Sequence, residues 1–332
     1  MKSELPSKMK AIQLQEPGKM VLTELPLPKP TSNELLIKTK AATICTSDLH
    51  DIDSNPFNIK LPTVLGHEGA GVIIACGKGV KNFTPGMRVA AHPVVPCGVC
   101  EACGRGFEHL CDNMGHFGID RQGTYAEYFI QREDRVRQIP DEMSFPLGSL
   151  LEPVANCLQA IDRAGNLAYK KVLVIGDGPF GNIIARLAMK AGAARVMVAG
   201  RHQYRLNMIP GAEAVTEIPE KSVDVAFLAV SSADAVRSCM AALRKRGRLV
   251  VFSLVEQPVA LDLFRLHVEE QEIIGCCNDE FKIDQALASL SDSALNLSEI
   301  ITHQVPFENW EDAFALTKDR GRKALKVSII FD

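Results

Sequence analysis

The sequence predicts a two-domain α/β protein, in which an irregular β-rich domain is followed by a doubly wound parallel sheet. The chain is long enough for this, because 332 residues with 46% apolar and 23% charged side chains can bury a large core and divide into two domains. Residues 9–150 combine short β-like runs with Gly and Pro turns. From residue 153 to about 278, strand patterns alternate with helical patterns, which is typical of a parallel sheet covered by helices.

The individual elements follow from the hydrophobic pattern. In the first region the β-like runs are ELLIKTKAATI, GAGVIIACG, RVAAHPVV and TYAEYFIQ. In the second, KVLVIG, RVMVAG, VDVAFLAV and GRLVVFS are predicted strands, and GNIIARLAMKAG and ADAVRSCMAALRKR are predicted helices. The tail FENWEDAFALTKDRGRKALKVSIIFD indicates a helix and then a strand that return to the first domain. We therefore assign residues 1–152 and 279–332 to the first domain and 153–278 to the second.

Charge and hydropathy narrow the classes of partner. The formal net charge is -3, and no basic stripe with interleaved aromatic residues is present, so neither nucleic acid nor an anionic membrane is expected as a partner. No run reaches the roughly 18 apolar residues of a membrane span, and the first residues lack the apolar region of a secretory signal. We expect a cytoplasmic protein that acts on a small molecule.

Four closely spaced cysteines predict a metal site. Cys97, Cys100, Cys103 and Cys111 follow the pattern Cys-x2-Cys-x2-Cys-x7-Cys in a chain with ten cysteines. In a reducing compartment thiols persist free, as metal ligands or as catalytic groups. Four thiolates at roughly 2.3 Å close the shell of a tetrahedral Zn²⁺, so this ion would be structural and would leave no position for a substrate. Four unconnected thiols and an iron–sulfur site are the alternatives.

A glycine-rich segment predicts a dinucleotide site. In VLVIGDGPFG, the residues Gly176, Gly178 and Gly181 form G-x-G-x-x-G, with Pro179 and Phe180 inside the motif. A strand precedes the motif, a helix follows it, and a second strand begins about twenty residues later, as in dinucleotide-binding units. Glycines allow a tight turn and a close approach of pyrophosphate to the helix N-terminus. An ordinary Gly-rich turn is the alternative.

A second metal site is less evident from the sequence. Cys45 in ICTSDLH, His67 in LGHEGAG and Glu152 in LLEPVAN offer a thiolate, an imidazole and a carboxylate, which would leave the fourth position on a zinc ion open. Each residue also has an ordinary explanation, as a buried thiol, a core histidine and a charge at a helix N-terminus. No local spacing connects the three.

Taken together and in this order, GHEGAG, the cysteine loop, EPVA and GDGPFG make the chain resemble the zinc-containing medium-chain dehydrogenase/reductase family. The resemblance covers almost the whole chain, and LEP is closer to the polyol branch, which includes sorbitol dehydrogenase. It implies a GroES-like catalytic domain and a Rossmann domain. It also implies two zinc ions per chain, with the catalytic zinc on Cys45, His67 and Glu152 and with Glu68 as an alternative or supporting carboxylate. A homodimer or homotetramer is implied as well.

The resemblance further implies a path for the proton. Asp48 would orient His67, and Ser47 and His50 would carry the proton from the substrate oxygen to solvent. A zinc ion with an open position lowers the pKa of a bound hydroxyl towards ~7, which assists removal of hydride from the carbinol carbon. The hydride acceptor would be a nicotinamide.

The residues that would meet the adenosine ribose depart from the family pattern. At the end of the second strand, in RVMVAGRHQYR, the acidic residue is absent, and Gly200 removes that charge and leaves room. Arg201 can offer a forked contact to a 2′-phosphate, with His202 and Arg205 as helpers. We therefore predict NADP(H) rather than NAD(H), the alternative being that Arg201 points into water.

The second departure is a shortened segment. Only TEIPEK separates MIPGAEAV from SVDVAFL, so a helix that family members commonly place there is expected to be truncated or missing.

The leading hypothesis is a zinc-dependent dehydrogenase that transfers hydride between a secondary alcohol, polyol or sugar-derived hydroxyl compound, or the matching carbonyl compound, and a nicotinamide cofactor. A zinc-free quinone or enone reductase of the same superfamily is one alternative. A non-catalytic nucleotide-binding protein is the other. Zinc content distinguishes the zinc-dependent dehydrogenase from the zinc-free reductase, and turnover distinguishes both enzymes from the non-catalytic protein.

Overall fold

The computed structural model describes residues 5–332, which fall into two compact units. Unit 1 extends to Glu152 and includes residues 286–291 and 301–332. Unit 2 consists of Pro153–Gln285 and Asp292–Ile300. Within the described residues, no helix combines the length and the apolar character that crossing a membrane requires.

The elements before residue 165 are mostly strands. The strands are β1 (Lys8–Glu16), β2 (Lys19–Pro26), β3 (Glu34–Thr43), β4 (Thr63–Val64), β5 (Glu68–Cys76), β6 (Arg88–Ala91), β7 (Val94–Val95), β8 (Gly115–His116), β9 (Tyr128–Arg132) and β10 (Val136–Gln138). The helices are α1 (Thr46–Ser54), α2 (Glu101–Gly104), α3 (Phe145–Ser149) and α4 (Leu151–Ala164).

The elements from residue 171 onward alternate more regularly. The strands are β11 (Lys171–Ile175), β12 (Arg195–Ala199), β13 (Glu213–Val215), β14 (Val223–Leu228), β15 (Leu243–Val251), β16 (Glu272–Gly275), β17 (Ile301–Pro306) and β18 (Lys326–Ile330). The helices are α5 (Pro179–Lys190), α6 (Gln203–Leu206), α7 (Ala233–Ala242), α8 (Leu263–Val268), α9 (Ile283–Ser291) and α10 (Trp310–Lys318). Short 3-10 turns occupy Glu108–Leu110, Glu133–Arg135, Ser293–Leu295, Leu297–Ile300, Phe307–Asn309 and Arg320–Arg322.

The main sheet of unit 1 has β3 near its centre. Its strand order is β10-β6-β5-β3-β18-β17, and β9 also pairs with β3. The register places Glu68 on β5 opposite Thr43 on β3, and Ser328 on β18 opposite the same Thr43. The sheet therefore brings the end of β3, the start of β5 and the start of β18 to one place.

The core of unit 1 packs around aromatic and branched side chains. Ile12, Leu14 and Tyr125 are fully buried, and the Tyr125 ring meets the edge of the Phe314 ring on α10, with centroids 5.4 Å apart. Burial of each large apolar side chain contributes roughly 1.5–3 kcal/mol to stability. Val64 and Leu65, just before His67, belong to this core.

Unit 2 contains the predicted doubly wound sheet. Its six strands are in the order β13-β12-β11-β14-β15-β16, and all of the pairings are parallel. Buried residues on adjacent strands, such as Leu173, Met197 and Ala226, form its core. The predicted α/β fold class is confirmed, because a part made mostly of strands is followed by a parallel sheet with helices between its strands.

One predicted helix is shorter in the structure, and one expected truncation is present. The predicted helix ADAVRSCMAALRKR ends at Ala242, because Leu243 is fully buried and pairs with Val223 at the start of β15. Residues 216–222 form turns and bends with no helix among them, as the short segment predicts.

Candidate metal and cofactor sites

The four clustered cysteines form one group of sulfur donors. The Sγ atoms of Cys97, Cys100, Cys103 and Cys111 all lie within 4.8 Å of one another, and those of Cys100 and Cys111 are 3.8 Å apart. The edge of a tetrahedron with bonds of roughly 2.3 Å is about 3.8 Å long, so this spacing fits a single zinc ion.

Backbone donors also favour thiolates in this loop. The N–H of Cys97 donates to Sγ of Cys111 at 3.2 Å, and the N–H of Cys100 donates to Sγ of Cys97 at 3.4 Å. Hydrogen bonds from Val99 and Cys100 lower the pKa of the Cys97 thiol to about 6. Since zinc binds the thiolate form, the four cysteines fit a structural zinc site.

A second group of donors lies where the main sheet of unit 1 brings its strands together. Cys45 follows the end of β3, His67 precedes β5, and Glu68 is its first residue. One donor atom from each lies within 4.8 Å of the others, and all three side chains are buried. This thiolate, imidazole and carboxylate set suits a zinc ion.

Asp48 fixes the orientation of His67. Oδ1 of Asp48 lies 3.3 Å from Nδ1 of His67, while Oδ2 accepts from the N–H of Cys45 at 3.0 Å and from the hydroxyl of Tyr125 at 2.6 Å. Burial disfavours the charged imidazole, but Asp48 outweighs it and holds the pKa of His67 well above its usual value. The anionic surroundings that favour this proton also favour a bound cation, so the residues present fit a metal ion.

Lys326 adds a buried cation beside the donors. Nζ of this residue, at the start of β18, pairs with Oε1 of Glu68, and both side chains are almost fully buried. Burial raises the pKa of Glu68 to about 7, with Lys326 acting to lower it and the nearby charge of Glu152 acting to raise it. Oε2 of Glu68 is buried and makes no hydrogen bond in the described part of the chain, so it is available to a metal ion.

Glu152 lies close to this group without being part of it. It is the second residue of α4, is buried, and acts electrostatically on both Glu68 and Lys326. The structure therefore groups Glu68 with Cys45 and His67, and places Glu152 in their surroundings.

Ser47 and His50 share the first turns of α1. They are three residues apart, so their side chains lie on the same face of the helix. Ser47 is partly buried and His50 is exposed, an order that suits transfer of a proton from a buried oxygen to solvent.

The glycine-rich loop has the geometry that dinucleotide binding needs. At Gly176, φ is +133°, and a Cβ there would lie 2.5 Å from the carbonyl oxygen of Ala229. At Gly181, a Cβ would lie 1.9 Å from the carbonyl oxygen of Gly176. By contrast, nothing lies within 4 Å of a Cβ at Gly178, immediately before α5 begins at Pro179. Backbone packing thus requires two of the glycines, and the third leaves open space at a helix N-terminus, which fits a pyrophosphate.

A carboxylate of the glycine-rich loop, to which the sequence analysis gave no role, binds the turn after β12. Oδ2 of Asp177 accepts from the backbone N–H groups of Arg201 at 2.6 Å and His202 at 2.7 Å. The same oxygen lies 3.1 Å from Nδ1 of His202, and Oδ1 lies 3.8 Å from Nη1 of Arg205. The Arg201 side chain is exposed. The space beside Gly200 is therefore filled by Asp177 rather than left free.

Sequence reasoning missed Asp177, Tyr125 and Lys326. A signal existed for Asp177, because an acidic residue inside G-x-G-x-x-G lies next to the turn after the second strand. Tyr125 and Lys326 are far from their partners along the chain, and their pattern alone is that of ordinary strand residues.

Two family models match the chain. Residues 31–141 match "Alcohol dehydrogenase GroES-like domain" and residues 179–291 match "Zinc-binding dehydrogenase". L-threonine 3-dehydrogenase from Bacillus subtilis (strain 168) is 31% identical over 335 residues, with 94% of this chain and 96% of that protein covered.

Solved structures share the whole fold. A structure described as a zinc-binding dehydrogenase from Sinorhizobium meliloti 1021, bound to NADP, has a TM-score of 0.92 and 26% identity, with 98% of this chain and 100% of that chain covered. A structure described as a short chain alcohol dehydrogenase from Escherichia coli CFT073, complexed with NADH, gives the same TM-score, identity and coverage.

Proposed function

This chain belongs to the zinc-containing medium-chain dehydrogenase/reductase family, and from that premise we propose that it is a zinc-dependent alcohol or polyol dehydrogenase using a nicotinamide cofactor. Its substrate would be a secondary alcohol, a polyol or the matching carbonyl compound. The observation that carries this proposal is the buried group of Cys45, His67 and Glu68. The name of the threonine dehydrogenase relative supports a hydroxylated substrate.

We propose that Cys45 and His67 hold the catalytic zinc, with Glu68 or Glu152 as the carboxylate ligand. When bound, zinc supplies a Lewis acid that lowers the pKa of a substrate hydroxyl. Asp48 holds Nδ1 of His67 and so presents Nε2 to the metal. Lys326 balances part of the negative charge of the carboxylates.

The proton and the hydride leave by different groups. The Ser47 hydroxyl would accept the proton from the substrate oxygen as it releases its own proton towards exposed His50, which would pass a proton to solvent. Gly176, Gly178 and Gly181 would hold the cofactor, whose nicotinamide would supply the hydride acceptor. Pro179 and Phe180 continue that binding loop into α5.

We propose NADP(H) as the preferred cofactor. Arg201 is exposed, and Arg205 and His202 lie beside it in the same turn. Asp177 carries one negative charge against two arginines, so the turn stays positive and suits a 2′-phosphate. The NADP-bound relative supports this choice, whereas the NADH-bound relative shows that the family fold accepts either cofactor.

We further propose that the protein is a homo-oligomer, either a dimer or a tetramer. In unit 2, α8 exposes Leu263 and Phe264 to 67% and 77%, and β16 is an edge strand. Exposed apolar surface next to an open sheet edge favours association with a second copy. Light scattering on wild type and on Phe264→Glu tests this, because a monomeric wild type would contradict it.

We also propose a cytoplasmic location. None of the ten cysteines, all of which lie in the described residues, forms a disulfide, which suits a reducing compartment.

The experiment that tests the function combines zinc analysis with turnover. Two zinc ions per chain and reduction of NADP⁺ or NAD⁺ by secondary alcohols, polyols or sugar acids support the proposal. A protein without zinc that reduces quinones or enones would instead be a zinc-free reductase. Two zinc ions without turnover on this panel would indicate a non-catalytic nucleotide-binding protein.

A further inference from the structure

His116 is a second imidazole beside the candidate catalytic metal site, and the reaction described above gives it no role. It ends β8, and its ring centroid lies 5.6 Å from that of His67. It is partly buried and does not belong to the group of metal-binding atoms formed by Cys45, His67 and Glu68. Its place beside a metal ligand raises the question of what its ring nitrogens bind.

The hydrogen bonding of His116 fixes its tautomer. Nδ1 lies 2.7 Å from the carbonyl oxygen of Phe117. A carbonyl oxygen can only accept, so Nδ1 must carry the hydrogen in this contact. In a neutral ring, Nε2 then has a free lone pair and acts only as an acceptor. In the described residues Nε2 makes no hydrogen bond.

An imidazole with the ordinary pKa of about 6.5 is mostly neutral above pH 7. Because Nδ1 donates to the carbonyl oxygen of Phe117, the neutral ring of His116 presents Nε2 as an acceptor.

The segment that follows His116 is hydrogen-bonded to the segment that carries His67. The N–H groups of Gly123, Thr124 and Tyr125 donate to the carbonyl oxygens of residues 64, 66 and 65 at 2.8, 2.9 and 3.1 Å. Oδ1 of Asp120 accepts from the N–H of His116 itself at 2.5 Å. A site held in this way loses little freedom on binding, which favours specific recognition.

We propose that Nε2 of His116 accepts a hydrogen bond from a second donor group of the substrate, close to the reacting carbinol. The preferred substrate would then be a secondary alcohol with a neighbouring hydroxyl or ammonium group, rather than a simple alcohol. This inference rests on the proposed dehydrogenase function. A hydroxyl and an ammonium group can each donate a hydrogen bond to a neutral imidazole, and a test with one compound of each kind distinguishes the two.

The test compares butane-2,3-diol, 3-aminobutan-2-ol and butan-2-ol in the zinc-loaded, full-length protein. We expect wild type to favour at least one of the two bifunctional compounds over butan-2-ol in kcat/KM. In His116→Phe that preference should fall by about fivefold to tenfold, with turnover of butan-2-ol changed little. His116→Gln, which keeps an acceptor, should retain part of the preference. His303→Phe, at a partly buried histidine on β17, is the matched control and should behave as wild type.

Binding is measured in parallel, as the shift in Tm caused by each compound with the cofactor present. Equal preferences in wild type and His116→Phe, in both turnover and binding, would overturn the role of His116. If no compound were oxidised but the bifunctional ones still bound in a His116-dependent way, the inference would stand and the proposed activity would fall. Should His116→Phe fail to fold, the His116→Gln comparison decides.

Discussion

Asp177 occupies the space that any side chain at position 200 would need. A Cβ built on Gly200 would lie 2.4 Å from Cβ of Asp177 and 2.5 Å from its Oδ2. The carboxylate at this turn therefore comes from the glycine-rich loop and not from the end of β12. It accepts backbone hydrogen bonds from residues 201 and 202, so it organises the turn that we propose binds the cofactor's 2′-phosphate.

This relationship determines how cofactor preference can be exchanged. Gly200→Asp alone should lower stability by about 1–3 kcal/mol, because two carboxylates would overlap in a packed turn. Asp177→Gly, which also removes Cβ at position 177, combined with Gly200→Asp and Arg201→Ile should restore Tm and move preference towards NAD(H). Arg201→Ile alone should weaken NADPH binding about tenfold, or ~1.4 kcal/mol, and leave NADH binding unchanged. The measurement is kcat/KM for both cofactors, and a wild type already more efficient with NAD⁺ would refute the preference.

If the cysteine cluster holds a structural zinc ion, replacing one of its cysteines should lower both the zinc content and the stability of the protein. Cys103→Ser should remove close to one zinc ion per chain and lower Tm, because binding of a structural metal contributes to folding. Cys76→Ser, at a cysteine outside both groups, is the control and should keep two zinc ions. Metal analysis and thermal unfolding check this. Two zinc ions and an unchanged Tm in Cys103→Ser would show that the cluster does not hold zinc.

If the second group of donors holds the catalytic zinc ion, replacing one of its residues should abolish turnover and leave cofactor binding intact. Cys45→Ala and His67→Ala should reduce kcat at least about 10³-fold, because the Lewis acid would be lost or displaced. NADPH binding, measured by fluorescence, should survive because the glycine-rich loop belongs to unit 2. Glu152→Ala should have a milder effect, since Glu68 has a buried oxygen available to the metal. A near-normal rate in Cys45→Ala would contradict the assignment of the ligands.

Because of His116, we expect the stability of the folded protein to decrease as pH falls. Its folded pKa of about 3 lies below the ~6.5 of an exposed histidine, so the unfolded chain binds a proton that the folded chain does not. Its contribution is complete above pH ~6.5 and is lost as pH falls towards 3, with a loss of about 2 kcal/mol at pH 5. Wild type should therefore lose more Tm between pH 7 and pH 5 than His116→Phe does. Equal changes in the two proteins would argue against a buried neutral imidazole.

The sequence predicts what depends on local pattern and misses what depends on distant pairing. Alternating strands and helices predict the parallel sheet, and the spacing of Cys97 and Cys111 with the two cysteines between them predicts the sulfur cluster. By contrast, Lys326 reaches Glu68 only because β18 lies beside β3, which in turn pairs with β5. The β18–β3 pairing joins residues that lie more than two hundred positions apart along the chain, such as Ser328 and Thr43.

The same reason explains Asp177 and His116. Asp177 lies within G-x-G-x-x-G, a motif that is recognised by its glycines alone. Its hydrogen-bond partners follow β12, and they lie near Asp177 because β12 pairs with β11. In the sequence alone, His116 has the pattern of a loop residue. Its place beside His67 becomes evident from the hydrogen bonds between residues 123–125 and residues 64–66. In both cases the role that we propose for the side chain depends on a neighbour in space and not on its neighbours in sequence.

The most direct test of zinc-dependent hydride transfer follows turnover against bound zinc in one preparation. The metal is removed by a chelator, zinc is returned in steps, and reduction of NADP⁺ by the best alcohol of the panel is followed at each step. We expect turnover to be lost with the metal and to return as bound zinc approaches two ions per chain, with no recovery in Cys45→Ala. Unchanged turnover after removal of both zinc ions would contradict a zinc-dependent dehydrogenase.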